Sequence, residues 1–422
     1  MIATIQIQVD GVWKNAATFE AASTDEARKG IAGGGRLLYD VGYAAEYLGK
    51  GLYYALSGRY PVNFEYIVLT HWPSFLVDLL PGGAGRRHSE KKGIPAGPAG
   101  DWPLLLVASG HPPGHLRVAE AVKDVKLDSH PGFERSELLE REDTFIEYAY
   151  EHGAPVAGSS DVQGDAPKFL LVEDQNGRWH AEGAISDPRI KKHWLVKFPR
   201  GKLQSDRRIL FNEKAYYCIA KALGLRTHEA LLHEKNTLFI SRFDRKSQNG
   251  VVSYYGQESL YSLAGIADFG KPMTMESLCT VIAQHSTHPE LELTEFIMRD
   301  ILNVALGNTD NHGRNTAMQY LPNGLIQLTP LYDFAPMILD DAGIARASRW
   351  QKYDNYGYPQ WHKIAETMGD FDLNITDLKL KLIEIGEKLN RIKQIMETCQ
   401  AEAEVIEIMS CRIKVVTEEL LG

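Results

Sequence analysis

The sequence predicts an α+β protein in which a sheet-rich half precedes a helix-rich half. Short apolar runs separated by turn residues continue to about residue 255, and 3.6-residue apolar spacing dominates after about residue 257. The polar residues that are candidates for catalysis lie near the junction, where small-molecule sites are common. We divide the chain into an N-terminal subdomain (1–140), a sheet-rich lobe (141–255) and a helical lobe (256–422).

The first 152 residues give three local predictions. The alternating stretch TIQIQVD, residues 4–10, predicts a half-buried strand, and the Asp10-Gly11 pair predicts a hairpin turn after it. The stretch 81–101 is rich in Gly, Pro and charge, which predicts a loop or linker. Apolar residues with helical spacing over 135–152 predict one helix that ends before Gly153.

The later elements are also predicted from the spacing of apolar residues and from turn residues. In chain order they are an antiparallel sheet from 169–172, 178–184 and 192–199, a helix over 211–225, a strand pair ending at Arg245, helices over 275–287 and 293–307, a hairpin around Pro322-Asn323-Gly324, and a mostly helical tail over 373–420.

Composition is that of an ordinary globular protein. The chain has 422 residues, of which 44% are hydrophobic and 24% charged, enough for two or three domains. A net charge of −9 disfavours direct nucleic-acid binding. The stretch 187–208 nevertheless has eight Lys or Arg residues against two Asp, which suits either a phosphate-bearing ligand or a solvated basic face.

The cysteines and the N-terminus predict a cytoplasmic protein without membrane association. The four cysteines form no CxxC pair, so we expect reduced thiols and neither a disulfide scaffold nor a cysteine-type zinc site. The N-terminus lacks the basic start and apolar run of a signal peptide. No stretch approaches the roughly 18 consecutive apolar residues that a membrane helix needs.

The strongest chemical pattern is NTDNHGRN, residues 308–315, directly after a predicted helix. Asp310 and Asn315 are five positions apart, the spacing of the carboxylate and amide in the catalytic loop of protein kinases. Asp333 follows after the predicted hairpin, in Tyr332-Asp333-Phe334. Phosphoryl transfer needs a carboxylate near the acceptor hydroxyl and oxygen ligands for Mg²⁺, so this ordered set predicts a phosphotransferase.

Two further features are weaker when taken alone. Lys197 lies between large apolar residues of a predicted strand, so it either contacts an anion such as the phosphates of ATP or faces outward from an edge strand. The small-residue loop 158–164, which contains Ser159 and Ser160, either cradles phosphate or connects two elements.

His312 fits a structural or phosphate-contacting role better than the role of a zinc ligand.

Five motifs between residues 193 and 334 together resemble the HipA-like toxin kinases of bacterial toxin–antitoxin systems. In chain order they are HWLVKFP, NEKAYYCIAKALGL, ISRFDR, GNTDNHGRN and LTPLYDF. Upstream, FLVDLLPGGAGRR over 75–87 resembles the N-terminal signature of the same family. The resemblance implies a two-lobed protein-kinase-like fold with a sheet-rich N-terminal lobe, an extra N-terminal subdomain and a helical C-terminal lobe.

The resemblance also implies a role for each matched residue. The implied roles are catalytic base for Asp310, Mg²⁺ ligands for Asn315 and Asp333, ATP phosphate contacts for Lys197 and His312, adenine and ribose contacts for Ser241, Phe243 and Asp244, and autophosphorylation for Ser159 or Ser160. Ser241 stands where the family often has an acidic residue.

Activity and partners follow from the same resemblance. It implies an ATP- and Mg²⁺-dependent serine/threonine protein kinase that modifies a translation-linked protein, such as an aminoacyl-tRNA synthetase. It also implies a DNA-binding antitoxin partner, so that nucleic acid is contacted only through that partner. Two alternatives remain open: a small-molecule phosphotransferase with the same spacing, and a non-catalytic kinase-like binding or co-repressor module.

Overall fold

The structure is a computed structural model that describes residues 1–122, 126–152, 167–268 and 271–422. Its β-strands are β1 (Ile2–Val9), β2 (Val12–Ala21), β3 (Gly35–Tyr39), β4 (Ile67–Leu69), β5 (Leu116–Val118), β6 (Lys168–Asp174), β7 (Trp179–Ala181), β8 (Ile190–Lys197), β9 (Leu232–Glu234), β10 (Thr237–Ser241), β11 (Arg245–Gln248), β12 (Val251–Tyr254), β13 (Gly256–Ser259), β14 (Ala317–Tyr320), β15 (Ile326–Leu328), β16 (Asp354–Asn355) and β17 (Tyr358–Pro359).

The α-helices are α1 (Thr24–Arg28), α2 (Val41–Tyr47), α3 (Phe75–Asp78), α4 (Gly83–Lys91), α5 (Asp101–Ala108), α6 (Arg135–Glu140), α7 (Asp143–Glu151), α8 (Gln204–Ala222), α9 (Leu260–Leu263), α10 (Met275–His285), α11 (Pro289–Ala305), α12 (Trp361–Thr367), α13 (Ile375–Asn390), α14 (Ile392–Thr398) and α15 (Ala403–Leu421). Of these described helices, none is both long enough and apolar enough to cross a membrane.

The chain divides into two compact units. The first consists of Met1–Arg200, Phe239–Lys271 and Gln319–Leu325, and the second of Gly201–Leu238, Pro272–Met318 and Ile326–Gly422. The first unit is rich in strands and the second in helices, as the sequence predicts. The finer division at residues 140 and 255 stays a prediction.

The N-terminal sheet of the first unit begins with the predicted hairpin. Asp10 and Gly11 join β1 to β2, and their φ angles of 51° and 81° are those of a two-residue type I′ turn. The sheet has the antiparallel order β4-β3-β2-β1-β5. Phe19 on β2 is fully buried and stacks on Trp102 of α5, with ring centroids 5.4 Å apart. This contact packs the helix against the sheet.

A second sheet in the first unit confirms the antiparallel arrangement predicted for residues 169–199. Strand β6 lies between β7 and β8, and β10 lies on the other side of β8. Its core is aromatic, with the rings of Trp179 and Phe239 5.3 Å apart and Trp194 beside both. Lys197 is the last residue of β8 and pairs in register with Lys168.

Two local predictions for the first unit are wrong. The predicted loop over 81–101 contains α4, which is held by an ion pair of 2.6 Å between Arg86 and the buried Asp101. The single helix predicted over 135–152 is two helices, because Arg141 adopts a left-handed conformation with φ 56° and ends α6. The spacing of apolar residues reveals neither the ion pair that holds α4 nor the left-handed backbone at Arg141.

The second unit packs helices around α11. Leu293, Ile301 and Leu302 on this helix are completely buried. The predicted helical tail is three helices, α13, α14 and α15. Helices α13 and α15 approach closely at Gly386, where an added Cβ would lie 3.0 Å from the Cβ of Leu420.

A disulfide joins two distant parts of the second unit. Cys218 on α8 and Cys399 after α14 are bonded, with Cα atoms 5.6 Å apart and a sequence separation of 181 positions. The expectation of reduced thiols is therefore wrong for this pair, whereas Cys279 and Cys411 are free thiols. Short cysteine spacings are the usual sequence signal for pairing, and a pair so far apart gives none.

We predict that removing this disulfide lowers the free energy of unfolding by about 2–5 kcal/mol, because the bond restricts the unfolded chain over a long loop. Urea denaturation with and without a reductant measures the difference, and Cys399→Ser gives the same comparison without reductant. Cys411→Ser is the matched control, since Cys411 is exposed and free. Equal urea midpoints for oxidised and reduced protein would contradict the prediction.

Candidate active site

The loop that carries Asp310 begins where α11 ends. Gly307 has φ 67°, the left-handed conformation that commonly terminates a helix. Its carbonyl oxygen accepts a hydrogen bond of 2.9 Å from the backbone N–H of Ile338, and an added Cβ would lie only 2.7 Å from the Ile338 side chain. The helix stop predicted at Gly307 is thus correct, and glycine is needed there for both conformation and space.

Asp310, His312 and Asn315 lie together in this loop. The side-chain N–H of Asn315 donates to the backbone oxygen of Asp310 at 2.8 Å and to its carboxylate Oδ2 at 3.2 Å. The other carboxylate oxygen, Oδ1, lies 3.3 Å from His312 Nε2. Because the backbone N–H of Arg314 donates to His312 Nδ1 at 3.2 Å, the neutral imidazole has its proton on Nε2. The loop therefore holds one carboxylate oxygen of Asp310 by a hydrogen bond and places the imidazole of His312 near the other.

Asp333 occupies an unusual backbone conformation in the same unit. Its φ is 50°, in the left-handed region that few non-glycine residues adopt, and such residues are frequent at functional sites. Its neighbours hold it in place: the Tyr332 hydroxyl donates to the backbone oxygen of Arg314 at 2.8 Å. Phe334 is buried against the ring of Tyr216, with ring centroids 5.4 Å apart. Asp333 itself is only partly buried.

The donor atoms in this loop suit a hard cation. The Asn315 amide uses its N–H donors within the loop, while its Oδ1 accepts no hydrogen bond from any described residue. An amide oxygen and a carboxylate oxygen are the ligands Mg²⁺ prefers. Within the described ranges, no group of three or more His, Cys, Asp or Glu residues is arranged to bind a metal. The Mg²⁺ ligand roles of Asn315 and Asp333 stay predictions.

A buried carboxylate behind the loop was not predicted from the sequence. Asp300 on α11 is 1% exposed, and its oxygens accept from the guanidinium of Arg346 at 2.6 Å and the indole N–H of Trp350 at 2.9 Å. The side chain of Asn311, the residue after Asp310, lies 3.4 Å from the same carboxylate. The sequence signal for this carboxylate was an aspartate on an otherwise apolar face of a predicted helix. Such a residue indicates a buried charge, which needs partners elsewhere in the chain.

Lys197 is buried in the first unit, as one of its two interpretations requires. Lys197 is only 5% exposed, and its two neighbours in sequence, Val196 and Phe198, are completely buried. This excludes the outward-facing edge-strand lysine. A buried ammonium requires compensating polar or anionic groups, so the phosphate contact remains the prediction for this residue.

Asp244 belongs to a buried ionic network in the first unit. Its carboxylate accepts hydrogen bonds from the Arg242 Nε at 2.9 Å, from Arg245 at 2.8 Å and from the backbone N–H of Gly114 at 2.7 Å. Glu182, which the sequence did not single out, completes the network by accepting from both guanidinium groups. Both oxygens of Asp244 are used within the protein, so the structure gives its predicted ribose contact no support.

The network holds its two carboxylates ionised. Burial acts to raise the pKa of Glu182, but the guanidinium groups of Arg242 and Arg245 outweigh it and lower that pKa to about 2. The pKa of Asp244 is lowered in the same way. Because Arg245 also donates to the backbone oxygens of Gly114 and Pro112, the network joins the segment before β5 to β11 and to the residues that follow β7 and β10 within the first unit.

The other predicted nucleotide-binding residues have simpler positions. Ser241, the last residue of β10, is buried, and the backbone oxygen of Phe243 accepts a hydrogen bond of 3.2 Å from Gln319. Their contacts to a nucleotide stay predictions. Ser159 and Ser160 lie outside the described residues.

Residues 160–405, more than half of the chain, match the family of HipA-like C-terminal domains. This chain belongs to the HipA-like family. The matched range contains Lys197, Asp310, Asn315 and Asp333. The HipA-like family is kinase-like, so membership supports phosphotransferase activity as a general class for this chain.

Individual relatives agree with this assignment. A Haemophilus influenzae protein named "Putative kinase" is 32% identical over 139 residues, which cover 29% of this chain and 40% of that protein's length. HipA of Shewanella oneidensis MR-1, solved with HipB and its operator DNA, aligns over 99% of this chain and 96% of its own, with a TM-score of 0.68 and 17% identity. That likeness shows the shared fold.

A third protein, the Helicobacter pylori proinflammatory kinase CtkA, aligns over 63% of this chain and 95% of its own. Its TM-score of 0.39 and identity of 17% are too low for it to contribute to the argument.

We predict that Glu182→Gln destabilises the protein by about 3–5 kcal/mol at neutral pH, because it leaves two buried guanidinium groups short of a negative charge. The pKa of Glu182 is lower in the folded protein than the ordinary value of about 4.3, so its contribution is present above about pH 4.3 and is lost as the pH falls toward 2.

Urea unfolding at about pH 7, 4 and 3 measures this contribution. The difference between wild type and Glu182→Gln should be largest at the highest pH and shrink as the solution becomes more acidic. Glu20→Gln on β2 is the control, since Glu20 is exposed. A difference that stays constant across the three pH values would contradict the role of an ionised Glu182.

Proposed function

We propose that this HipA-like protein is an ATP- and Mg²⁺-dependent serine/threonine protein kinase, and the toxin of a toxin–antitoxin module that acts on a translation-linked protein. The observation that carries the proposal is the hydrogen bond from Asn315 to the Asp310 carboxylate, whose other oxygen lies 3.3 Å from His312 Nε2. A partly exposed carboxylate held in this way, five residues before an amide, matches the requirement for placing an acceptor hydroxyl.

In this proposal each loop residue has one role. The Asp310 carboxylate accepts the proton of the acceptor hydroxyl as that oxygen bonds to the γ-phosphorus and the bond to ADP breaks. The imidazole of His312, whose Nε2 lies 3.3 Å from Asp310 Oδ1, would keep the carboxylate facing the acceptor. Bound Mg²⁺ would neutralise phosphate charge, and Asn315 and Asp333 would hold it. Lys197 would contact the ATP phosphates, and Ser241 and Phe243 would lie near the adenine.

The proposed partner is a DNA-binding antitoxin. The Shewanella oneidensis HipA structure contains HipB and operator DNA, and the present chain shares its fold. With a net charge of −9, this chain is poorly suited to bind DNA alone, whereas the basic stretch 187–208 could contribute to binding in a complex. Nucleic acid is therefore proposed to be contacted through the partner.

We predict that Asp310→Asn lowers the rate of γ-phosphate transfer by about 10²–10⁴-fold, because the amide cannot accept the hydroxyl proton. Transfer from radiolabelled ATP to added protein and to the enzyme itself measures the rate, with circular dichroism to verify the fold. Asp370→Asn is the matched control, since Asp370 is an exposed aspartate in the same unit. Wild-type transfer by Asp310→Asn would show that Asp310 is not the base.

The alternatives make different predictions for the acceptor. We expect phosphate on serine or threonine of proteins from a cell extract, and none on small alcohols such as aminoglycosides or choline. Transfer only to small alcohols would favour the small-molecule phosphotransferase. Absence of any transfer, combined with DNA retardation when the antitoxin candidate is added, would favour the non-catalytic co-repressor.

A further inference from the structure

Buried and exposed residues alternate in the segment Arg346–Lys352 of the second unit. Arg346, Ser348 and Trp350 are buried, whereas Arg349 and Gln351 are exposed, and Arg349 forms an isolated bridge with Thr274. One side of the segment is therefore fixed against the protein and the other is presented to solvent. The inward face is held by three separate elements.

The first anchor is Asp300 on α11. Its carboxylate binds the Arg346 guanidinium at 2.6 Å and the Trp350 indole N–H at 2.9 Å, both out of solvent. A buried, charge-assisted pair of this kind is strong and costly to break. It fixes the two ends of the buried face and leaves Ser348 between them.

The second anchor is the loop that holds Asp310. The Asn311 side chain forms two hydrogen bonds with the backbone of Ser348: its Nδ2 donates to the carbonyl oxygen at 2.9 Å, and its Oδ1 accepts from the N–H at 3.2 Å. Asn311 and Asp310 are adjacent in sequence, as are Ser348 and Arg349. The Cα atoms of Arg349 and Asp310 are therefore within about 15 Å of each other, as the lengths of the bonds along this path allow no more.

The third anchor is the start of α10. The backbone N–H of Met275 donates to the carbonyl oxygen of Arg349 at 2.9 Å. The Glu276 carboxylate accepts from the backbone N–H groups of Gln351 and Lys352, each at 2.9 Å. Together with the two bonds of Ser348, these contacts use five backbone groups of the segment and leave its exposed side chains facing solvent.

Two of those exposed side chains are cations. Arg349 and Lys352 are both exposed, and neither forms an ion pair with any residue in the part of the chain that the structure describes. The Glu276 carboxylate binds the backbone of this segment, and the Asp354 carboxylate accepts from the backbone N–H of Gly357 at 2.6 Å. The anchored segment thus presents two exposed positive charges, of which that of Arg349 belongs to the residue linked to Asp310 through Ser348 and Asn311.

We propose that the segment Arg346–Lys352 is a docking platform for the acceptor polypeptide, and that Arg349 and Lys352 select acidic residues near the serine or threonine that is modified. The inference rests on the proposed kinase function, because it places the acceptor hydroxyl at Asp310. A platform held on three sides keeps its shape when a substrate binds, so little conformational entropy is lost and charge complementarity decides the choice of partner.

Binding of two fluorescent peptides to the full chain tests the proposal. Each peptide has about 15 residues with a central serine, flanked in one by several Glu and in the other by Gln at the same positions. Fluorescence anisotropy should give roughly fivefold tighter binding of the Glu peptide to the wild type. The preference should disappear in Arg349→Glu/Lys352→Glu and should weaken as NaCl is raised, because exposed charges are screened by salt.

The matched control is Lys381→Glu/Lys393→Glu, which alters the net charge equally at exposed positions on α13 and α14. It should keep the preference for the Glu peptide. Equal binding of the two peptides to the wild type, including no binding of either, overturns the proposal, as does an equal loss in the control.

Phosphate transfer is measured separately, so the two proposals fail in different ways. Transfer to protein without any preference for the Glu peptide would overturn the platform alone. A preference for the Glu peptide in a protein that transfers no phosphate would overturn the kinase function and leave the platform as a site that binds acidic polypeptides.

Discussion

The buried carboxylate of Asp300 determines the arrangement of the second unit around its reactive loop. It accepts hydrogen bonds from side chains that lie up to 50 residues away in sequence, and the loop next to Asp310 is bonded to the same segment. A charge removed from water is stable only when its partners are in place. The loop, the segment after Asp333 and the helix beneath them are therefore expected to order together.

The first unit uses the same physical device for a different purpose. Glu182, Asp244 and their two arginines form a closed set of ion pairs with almost no contact with water, and they link the residue after β7 to the segment between β10 and β11. An all-apolar junction of the same size would be as stable or more so. What charged groups add is directional geometry, because each guanidinium can meet its carboxylates in few orientations.

Local chemistry explains most of what the sequence predicted correctly. The Asp10-Gly11 turn, the helix stop at Gly307 and the spacing of Asp310 and Asn315 each depend on residues within a few positions of one another. The features that were missed join distant residues: Asp300 with Arg346 over 46 positions, Glu182 with Arg245 over 63, and Cys218 with Cys399 over 181. A single sequence does not indicate which side chains meet over such distances. At Asp244 the motif suggests a nucleotide contact, which stays a prediction, and gives no sign of the hydrogen bonds from Gly114 and Arg245 to its carboxylate.

The bond between Cys218 and Cys399 has a topological consequence. It closes the intervening chain into a covalent ring, and Asp310, Asn315 and Asp333 all lie within it. A protease that cuts an exposed turn of the ring once, such as the hairpin with the fully exposed Tyr356, opens the circle without releasing either piece. The two pieces of the nicked molecule stay covalently linked until the disulfide is reduced. Only after reduction is the reactive loop no longer covalently linked to the C-terminal helix α15.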